Sequence, residues 1–198
     1  MKKIYILSLV LNLLIQFNVN AQQQTYVPDD NFEQKLISLG LDSGPLDNYV
    51  LTANISDVDE LSLSNLDITN LTGINDFTSL TYLYAYNNQI EDLTLNINTL
   101  NSLGVSDNGM LNLDISGCPN LRNLACSNNL LESIDLSQNR LSEVYLNNNL
   151  LEHIDLSDNI YLNFLYVKDN TNLESIDLRG HNNYDNLLMS QQHYLSVQ

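Results

Sequence analysis

The stretch Leu121-Arg-Asn-Leu124-Ala-Cys126-Ser-Asn-Asn129-Leu-Leu131-Glu-Ser-Ile134-Asp-Leu136-Ser-Gln-Asn139 states one phrase twice: apolar residues at a fixed spacing, closed by asparagine. Working outward, the first apolar residue of each coil falls at Val58, Leu80, Leu100, Leu121, Leu141, Leu162 and, more weakly, Tyr184, in steps of 20 to 22 residues. The first half of each coil offers an inward set: Leu80/Leu83/Ala85, Leu100/Leu103/Val105, Leu121/Leu124/Cys126, Leu141/Val144/Leu146 and Leu162/Leu165/Val167. Asn88, Asn108, Asn129, Asn149 and Asn170 close these phrases. An amide carries two donors and an acceptor, so it satisfies backbone groups stranded where the chain turns inside a coil; stacked coils would line the asparagines into a ladder.

This periodicity is the mark of a leucine-rich repeat solenoid. The second half of each coil repeats the strand phrase instead of switching to a helical period: Ile90/Leu93/Leu95, Met110/Leu113/Ile115, Leu131/Ile134/Leu136, Leu151/Ile154/Leu156 and Leu173/Ile176/Leu178. The expected fold is therefore α/β in class with mostly parallel β on both faces. Strands on both sides at one spacing also favour a straight, slim stack. The first coil departs, because Leu71-Thr-Gly-Ile-Asn-Asp-Phe77 carries Gly73 and predicts a turn or short 3₁₀ segment.

Four regions follow: 1–21, 22–57, 58–183 and 184–198. In the first, Lys2-Lys3 precede an apolar run from Ile4 to Phe17, and Val19-Asn20-Ala21 supplies small residues for cleavage, the pattern of a secretory signal peptide. The second holds a polar leader, Gln22-Gln23-Gln24, and an amphipathic capping helix expected over Pro28 to Gly40. There Asp30 would cap and Glu33 reach back, with Phe32, Leu36, Ile37 and Leu39 on the apolar side and Gly40 as the stop. Tyr49-Val50-Leu51 would lead into the stack, which needs a cover over its open end. The third is the solenoid. The fourth, from Tyr184, is a degenerate last repeat, either a makeshift cap or a sign that the chain is shorter than its relatives.

Without the signal, Lys35, Arg122, Arg140, Lys168 and Arg179 face 24 acidic residues, a net charge of about −19. Such a surface repels phosphate backbones and anionic lipid, which excludes nucleic acid and leaves no membrane insertion after signal removal. A basic protein, a divalent cation or an uncharged glycan remains compatible, as does acidity serving solubility alone.

The phrase Leu121-Arg-Asn-Leu-Ala-Cys126-Ser-Asn-Asn129-Leu-Leu131-Glu-Ser-Ile-Asp135-Leu136-Ser137-Gln-Asn139 resembles the LxxLxCxxNxLxxLDLSxN coils of secreted bacterial leucine-rich repeat proteins, internalin-like and of the Bacteroidota type. Tyr26-Val-Pro-Asp-Asp-Asn-Phe-Glu33 and Leu71 to Phe77 resemble the usual start of those proteins. The resemblance implies export, to a secreted, extracellular or cell-surface location. It departs at the cysteine column, kept only at Cys126 against Ala85, Val105, Leu146 and Val167, and in lacking a C-terminal sorting region for type IX export.

Candidate chemistry is sparse. Cys118 and Cys126 suit an oxidising compartment, but one is an inward strand position and the other stands in the opposite turn of the previous coil, too far apart to pair; buried thiols are the simpler reading. Asp114, Asp135, Asp155 and Asp177 share one outward position, followed by Ser116, Ser137, Ser157 and Arg179. This like-charge ridge either attracts cations or is solvated, and it matches no known calcium loop. Outward on the first sheet lie Tyr82, Tyr84 and Tyr86, then Tyr145, Phe164 and Tyr166, with Ser102, Gly104, Ser106, Ala125 and Ser127 between. They suit a contact surface for protein or sugar rings, or else cross-strand packing that stiffens the sheet.

His153, His181 and His193 are isolated, and no nucleophile motif or phosphate-cradling loop accompanies them. No catalytic residue, metal site or cofactor is expected. The expected protein is a monomeric, non-catalytic, protein-binding adaptor; the alternative is an extracellular adhesion or glycan-contact element.

Overall fold

The computed structural model describes residues 22–181, 188–190 and 196–197. The expected signal peptide at 1–21 lies outside them, as do most of the residues of the expected last repeat at 184–198. In chain order the elements are β1 (Gln24–Tyr26), α1 (Asp30–Ser38), β2 (Tyr49–Leu51), α2 (Thr52–Ile55), β3 (Glu60–Ser62), a 3₁₀ turn (Ile74–Asp76), β4 (Tyr82–Tyr84), β5 (Asp92–Thr94), β6 (Ser102–Gly104), β7 (Asn112–Asp114) and β8 (Asn123–Ala125). There follow β9 (Glu143–Tyr145), β10 (His153–Asp155), β11 (Phe164–Tyr166), β12 (Ser175–Asp177), β13 (Leu188–Ser190) and β14 (Ser196–Val197).

The alternation of the repeat phrase becomes a parallel β-solenoid. One sheet has seven parallel strands in the order β13-β11-β9-β8-β6-β4-β3. Its register is uniform from coil to coil, so Leu83, Leu103, Leu124, Val144 and Leu165 stand side by side and buried. These columns join the opposite half's Ile90, Leu95, Met110, Ile115, Leu131, Leu136 and Leu156 in one apolar cluster that runs from the N-terminal cover through the stack. Each coil thus buries its neighbour's apolar face, which no coil achieves alone.

On the opposite side the strands divide into two parallel sheets, β5-β7 and β10-β12-β14. Ser133–Asp135, expected as a strand, carries no ladder; Leu131 and Leu136 are buried there, while Ile134 is only half-buried. Apolar spacing decides which residues point inward. It does not decide whether the N–H and C=O groups of successive coils come into bonding reach, and between β7 and β10 they do not form a ladder.

The N-terminal cover differs from its expected form in four respects. The helix spans Asp30–Ser38 rather than 28–40, and its N-cap is Asp29, not Asp30: Asp29 has extended backbone (φ −88°, ψ 115°) and its Oδ1 accepts from the N–H groups of Asn31 and Phe32. Glu33 makes no reciprocal cap. It is fully buried, accepting from Asp47 N–H at 2.8 Å and Asn48 N–H at 3.0 Å, and so ties down the loop before β2. Phe32 and Leu36 are buried, whereas Leu39 is 48% exposed.

The leader is also more than a polar tail. Gln24 to Tyr26 pairs antiparallel with Leu51 to Tyr49, so β2 closes a small cover sheet before α2 carries the chain on to β3 in the stack. Gly73, at φ 99°, lets this cover approach: a Cβ there would lie 2.6 Å from the Tyr26 carbonyl oxygen. The adjoining Ile74–Asp76 is the expected 3₁₀ turn, and Phe77 behind it stacks on Phe32 at 6.2 Å.

Candidate functional site

Because the seven-stranded sheet is in strict register, its outward residues form columns. One reads Glu60, Tyr82, Ser102, Asn123, Glu143, Phe164; the next reads Ser62, Tyr84, Gly104, Ala125, Tyr145, Tyr166. The aromatic candidates therefore share one face, in two groups. Tyr84 and Tyr86 stack at 6.0 Å with 14° between planes, and Tyr145 and Tyr166 at 5.0 Å with 7°. Tyr82 is 39% exposed; Tyr84, Tyr86, Tyr145, Phe164 and Tyr166 are half-buried.

The small residues between the groups have a definite effect. A Cβ on Gly104 would collide with the Tyr86 ring, so that ring lies across the glycine. A shallow depression of about 220 Å³ opens beside it, lined by Tyr86, Ser102, Asn123, Ala125, Glu143 and Tyr145. Burial raises the Tyr86 hydroxyl pKa, with Tyr84 adding to it. Burial first, and then the charge of Glu143, also raises that of Tyr145, which donates to Glu143 Oε2 at 3.3 Å.

The asparagine column runs alongside as structure. Asn129 donates through Nδ2 to the carbonyls of Val105 (3.1 Å) and Cys126 (3.2 Å), and its Oδ1 accepts from Met110 N–H at 3.1 Å. Asn149 does the same one coil on, with Cys126, Leu146 and Leu131 as partners, and Asn170 with Leu146, Val167 and Leu151. Asn108 and Asn88 continue the pattern toward the N-terminus. Each amide bonds its own coil and the previous one.

Two further columns accompany the ladder, one just before its asparagines and one where the second half of each coil closes. Asn65, Asn87, Asp107, Asn128, Asn148 and Asp169 have φ of 52–62°. Asn and Asp tolerate this left-handed region better than other non-glycine residues, and they make the turn out of the strand. Their side chains chain together as well, Asn128 donating to Asp107 at 2.7 Å and Asn148 to Asn128 at 3.0 Å. The visible signal was the Asn or Asp immediately before each ladder asparagine. At the opposite turn stand Cys118, Asn139, Asn159 and His181. Asn139 there donates to the carbonyls of Ile115 and Cys118, Asn159 to that of Leu136, and His181 Nε2 lies 3.2 Å from the Leu156 carbonyl oxygen.

The acidic column serves its own turns. The Oδ1 atoms of Asp114, Asp135 and Asp155 accept from Ser116, Ser137 and Ser157 N–H at 2.9–3.0 Å. These backbone bonds, with the serine side chains next, hold Asp114 and Asp135 below the usual carboxylate range. Asp177 is lowered first by the Arg179 guanidinium, which it meets at 2.6 Å. Among the described residues no group of three or more His, Cys, Asp or Glu is placed to hold a metal ion. Both cysteines are free thiols, as the buried reading had them. Burial raises the pKa of Cys118 and pushes that of Cys126 up to about 12.

No protein-family model and no curated protein matches the sequence. Solved structures do. The functional domain of InlJ from Listeria monocytogenes, which includes a cysteine ladder, is 28% identical, with a TM-score of 0.69 over 81% of this chain and 39% of that one. An internalin, InlF, from Listeria monocytogenes str. 4b F2365 is 23% identical, with a TM-score of 0.58 over 77% of this chain and 50% of that one. Internalin C2 of the same strain is 18% identical, with a TM-score of 0.51 over 86% and 98%. The last two likenesses are of fold alone. This chain spans half or less of the length of the first two. The structure is a leucine-rich repeat solenoid of parallel sheets whose structural neighbours are Listeria internalins.

Proposed function

We propose that the chain is a secreted or surface-exposed, non-catalytic binding module, an adaptor that engages a protein partner through the outward face of the seven-stranded sheet. The observation that carries this reading is the pair of tyrosine stacks, Tyr84–Tyr86 and Tyr145–Tyr166, framing a depression of small and polar residues. Rigid aromatics around a recess are the anatomy of interface hot spots, because they offer large area at little entropic cost. The internalin-like neighbours support a repeat scaffold that displays such a face. Export rests on the Lys2-Lys3 and Ile4–Phe17 pattern. No helix among the described residues is long and apolar enough to cross a membrane.

The test is capture of a partner from the native extracellular milieu by wild-type protein and by Tyr84→Ala and Tyr166→Ala variants of unchanged thermal unfolding. Loss of capture in the variants is expected; retention of the same partner in both removes this face from consideration. A glycan-contact reading is favoured by one observation, the exposed Tyr82 beside the Tyr84–Tyr86 stack. It predicts retention on polysaccharide matrices that is lost when Tyr82, Tyr84 and Tyr86 are replaced together, and fails if no matrix retains the protein.

A further inference from the structure

We infer that the depression between Tyr86 and Tyr145 receives one arginine side chain from a basic protein partner, its guanidinium held between the two rings with Glu143 as counter-ion. This deepens, and rests on, the protein-binding reading above.

The first argument is geometric. Tyr86 lies across Gly104 in β6, and Tyr145 stands on β9, with Ala125 of β8 between them. Two strand spacings separate the walls, roughly 10 Å between ring positions. Subtracting the thickness of the rings leaves space for one flat group or one aliphatic chain, not for a helix or a globular protrusion. Tyr166 covers one face of Tyr145, its ring nearly parallel at 5.0 Å, about the spacing of neighbouring strands. The opposite face of Tyr145 is thus turned toward the depression. Similarly, Tyr84 backs Tyr86. Both walls are stiffened from behind, so little ordering is lost when something enters between them.

The second argument is charge. Glu143 lines the same depression, and its Oε2 is steadied by the Tyr145 hydroxyl. Among the described residues Arg179 pairs with Asp177 and His153 approaches Glu174 at 4.0 Å, and no Lys, Arg or His lies in salt-bridge reach of Glu143. Aromatic faces with an adjacent carboxylate favour a cation, and a planar guanidinium gains from stacking as well as from forked hydrogen bonds to carboxylate. Ser102 and Asn123 on the floor offer further acceptor oxygens for its remaining N–H groups. A neutral sugar would use the rings but leave the carboxylate's charge unanswered. The chain's net charge of −17 acts in the same direction at long range, drawing basic partners to the surface.

The test uses the full chain, isotopically labelled, titrated with the peptide acetyl-Gly-Gly-Arg-Gly-Gly-amide and with its citrulline counterpart, which has the same shape and no charge. Saturable resonance shifts centred on Ala125, Glu143 and Tyr145 are expected with the arginine peptide. The citrulline peptide on wild type, and the arginine peptide on a Glu143→Gln variant of unchanged thermal unfolding, are each expected to bind roughly tenfold more weakly. Equal binding of the two peptides, an unaffected Glu143→Gln variant, or no shift at millimolar peptide overturns the inference. So does a neutral oligosaccharide that shifts the same residues regardless of Glu143. If partner capture is lost in Tyr84→Ala and Tyr166→Ala but kept in Glu143→Gln, the adaptor reading stands and the arginine slot falls. Capture that no variant alters defeats both.

Discussion

Asn129 shows what one side chain does in this stack. It is 5% exposed, and it answers four backbone groups in two coils: the carbonyls of Val105, Cys126 and Ser127 and the N–H of Met110. Replacing it with alanine leaves the buried Met110 N–H without its acceptor, which carries a desolvation penalty, and removes one of the two amide donors at each of the Val105 and Cys126 carbonyls, which keep Asn108 and Asn149. Asn129→Ala is expected to cost about 3 kcal/mol, read as a lower urea midpoint, with Asn128→Ala costing less because Asn128 is exposed. A loss for Asn129→Ala within 0.5 kcal/mol of zero, the range of ordinary surface changes, would show that the ladder is ornamental. Cys126 makes a second residue-scale case. Its buried thiol, pushed up to about 12, holds almost no thiolate at pH 8, so a disulfide reagent should label it only as fast as the protein opens. Labelling of native protein at the rate of a free thiol would contradict the burial.

At the scale of the element, Asp29 ties α1 to the first coil. Its Oδ1 caps the helix, while its Oδ2 accepts from Thr69 N–H and hydroxyl at 2.9 Å and from Asn70 N–H at 3.2 Å. Burial by itself would raise this carboxyl; the bonds from Thr69, Phe32 and Asn70 outweigh it and hold the pKa below the ordinary value. A group depressed on folding stabilises above its unfolded pKa, about 3.9, and that contribution is lost as the pH falls through the folded value. The stability gap between wild type and Asp29→Ala should therefore be about 2 kcal/mol and flat from pH 5 to 7, and should shrink below pH 4. Urea unfolding of both proteins across that range checks it; a gap that widens toward acid would reverse the assignment. The capping residue itself was one position away from the expected Asp30. Both residues suit the role chemically, and only the backbone torsion at position 29 separates them.

The whole molecule is a stack of coils carrying a formal charge of −17. Asp114, Asp135, Asp155 and Asp177 recur at equivalent positions of four coils, and the chain has few cations to offset them. Self-repulsion of this kind opposes the compact state and is screened by salt, with a Debye length of about 30 Å at 0.01 M falling to about 8 Å at 0.15 M. Raising sodium chloride over that interval should increase the thermal midpoint by a few degrees, and an unchanged or lowered midpoint would mean that local pairs dominate the field.

Periodicity by itself determined the coil length, the inward residues and the asparagine that closes each strand, because burying one apolar face per coil tolerates no other phase. Tertiary structure decided the rest. The loss of pairing at Ser133–Asp135, the turning of Glu33 onto the loop before β2, and the recruitment of Gln24–Tyr26 into a cover sheet depend on which backbone groups meet across coils. The candidate site divides in the same way. Tyr82, Tyr84, Tyr86, Tyr145, Phe164 and Tyr166 were assignable to one face from alternation, since successive strand residues point to opposite sides. That Tyr86 lies over Gly104, and so opens a recess beside Glu143, follows from how ring and neighbouring backbone pack in three dimensions, which spacing along one chain does not encode.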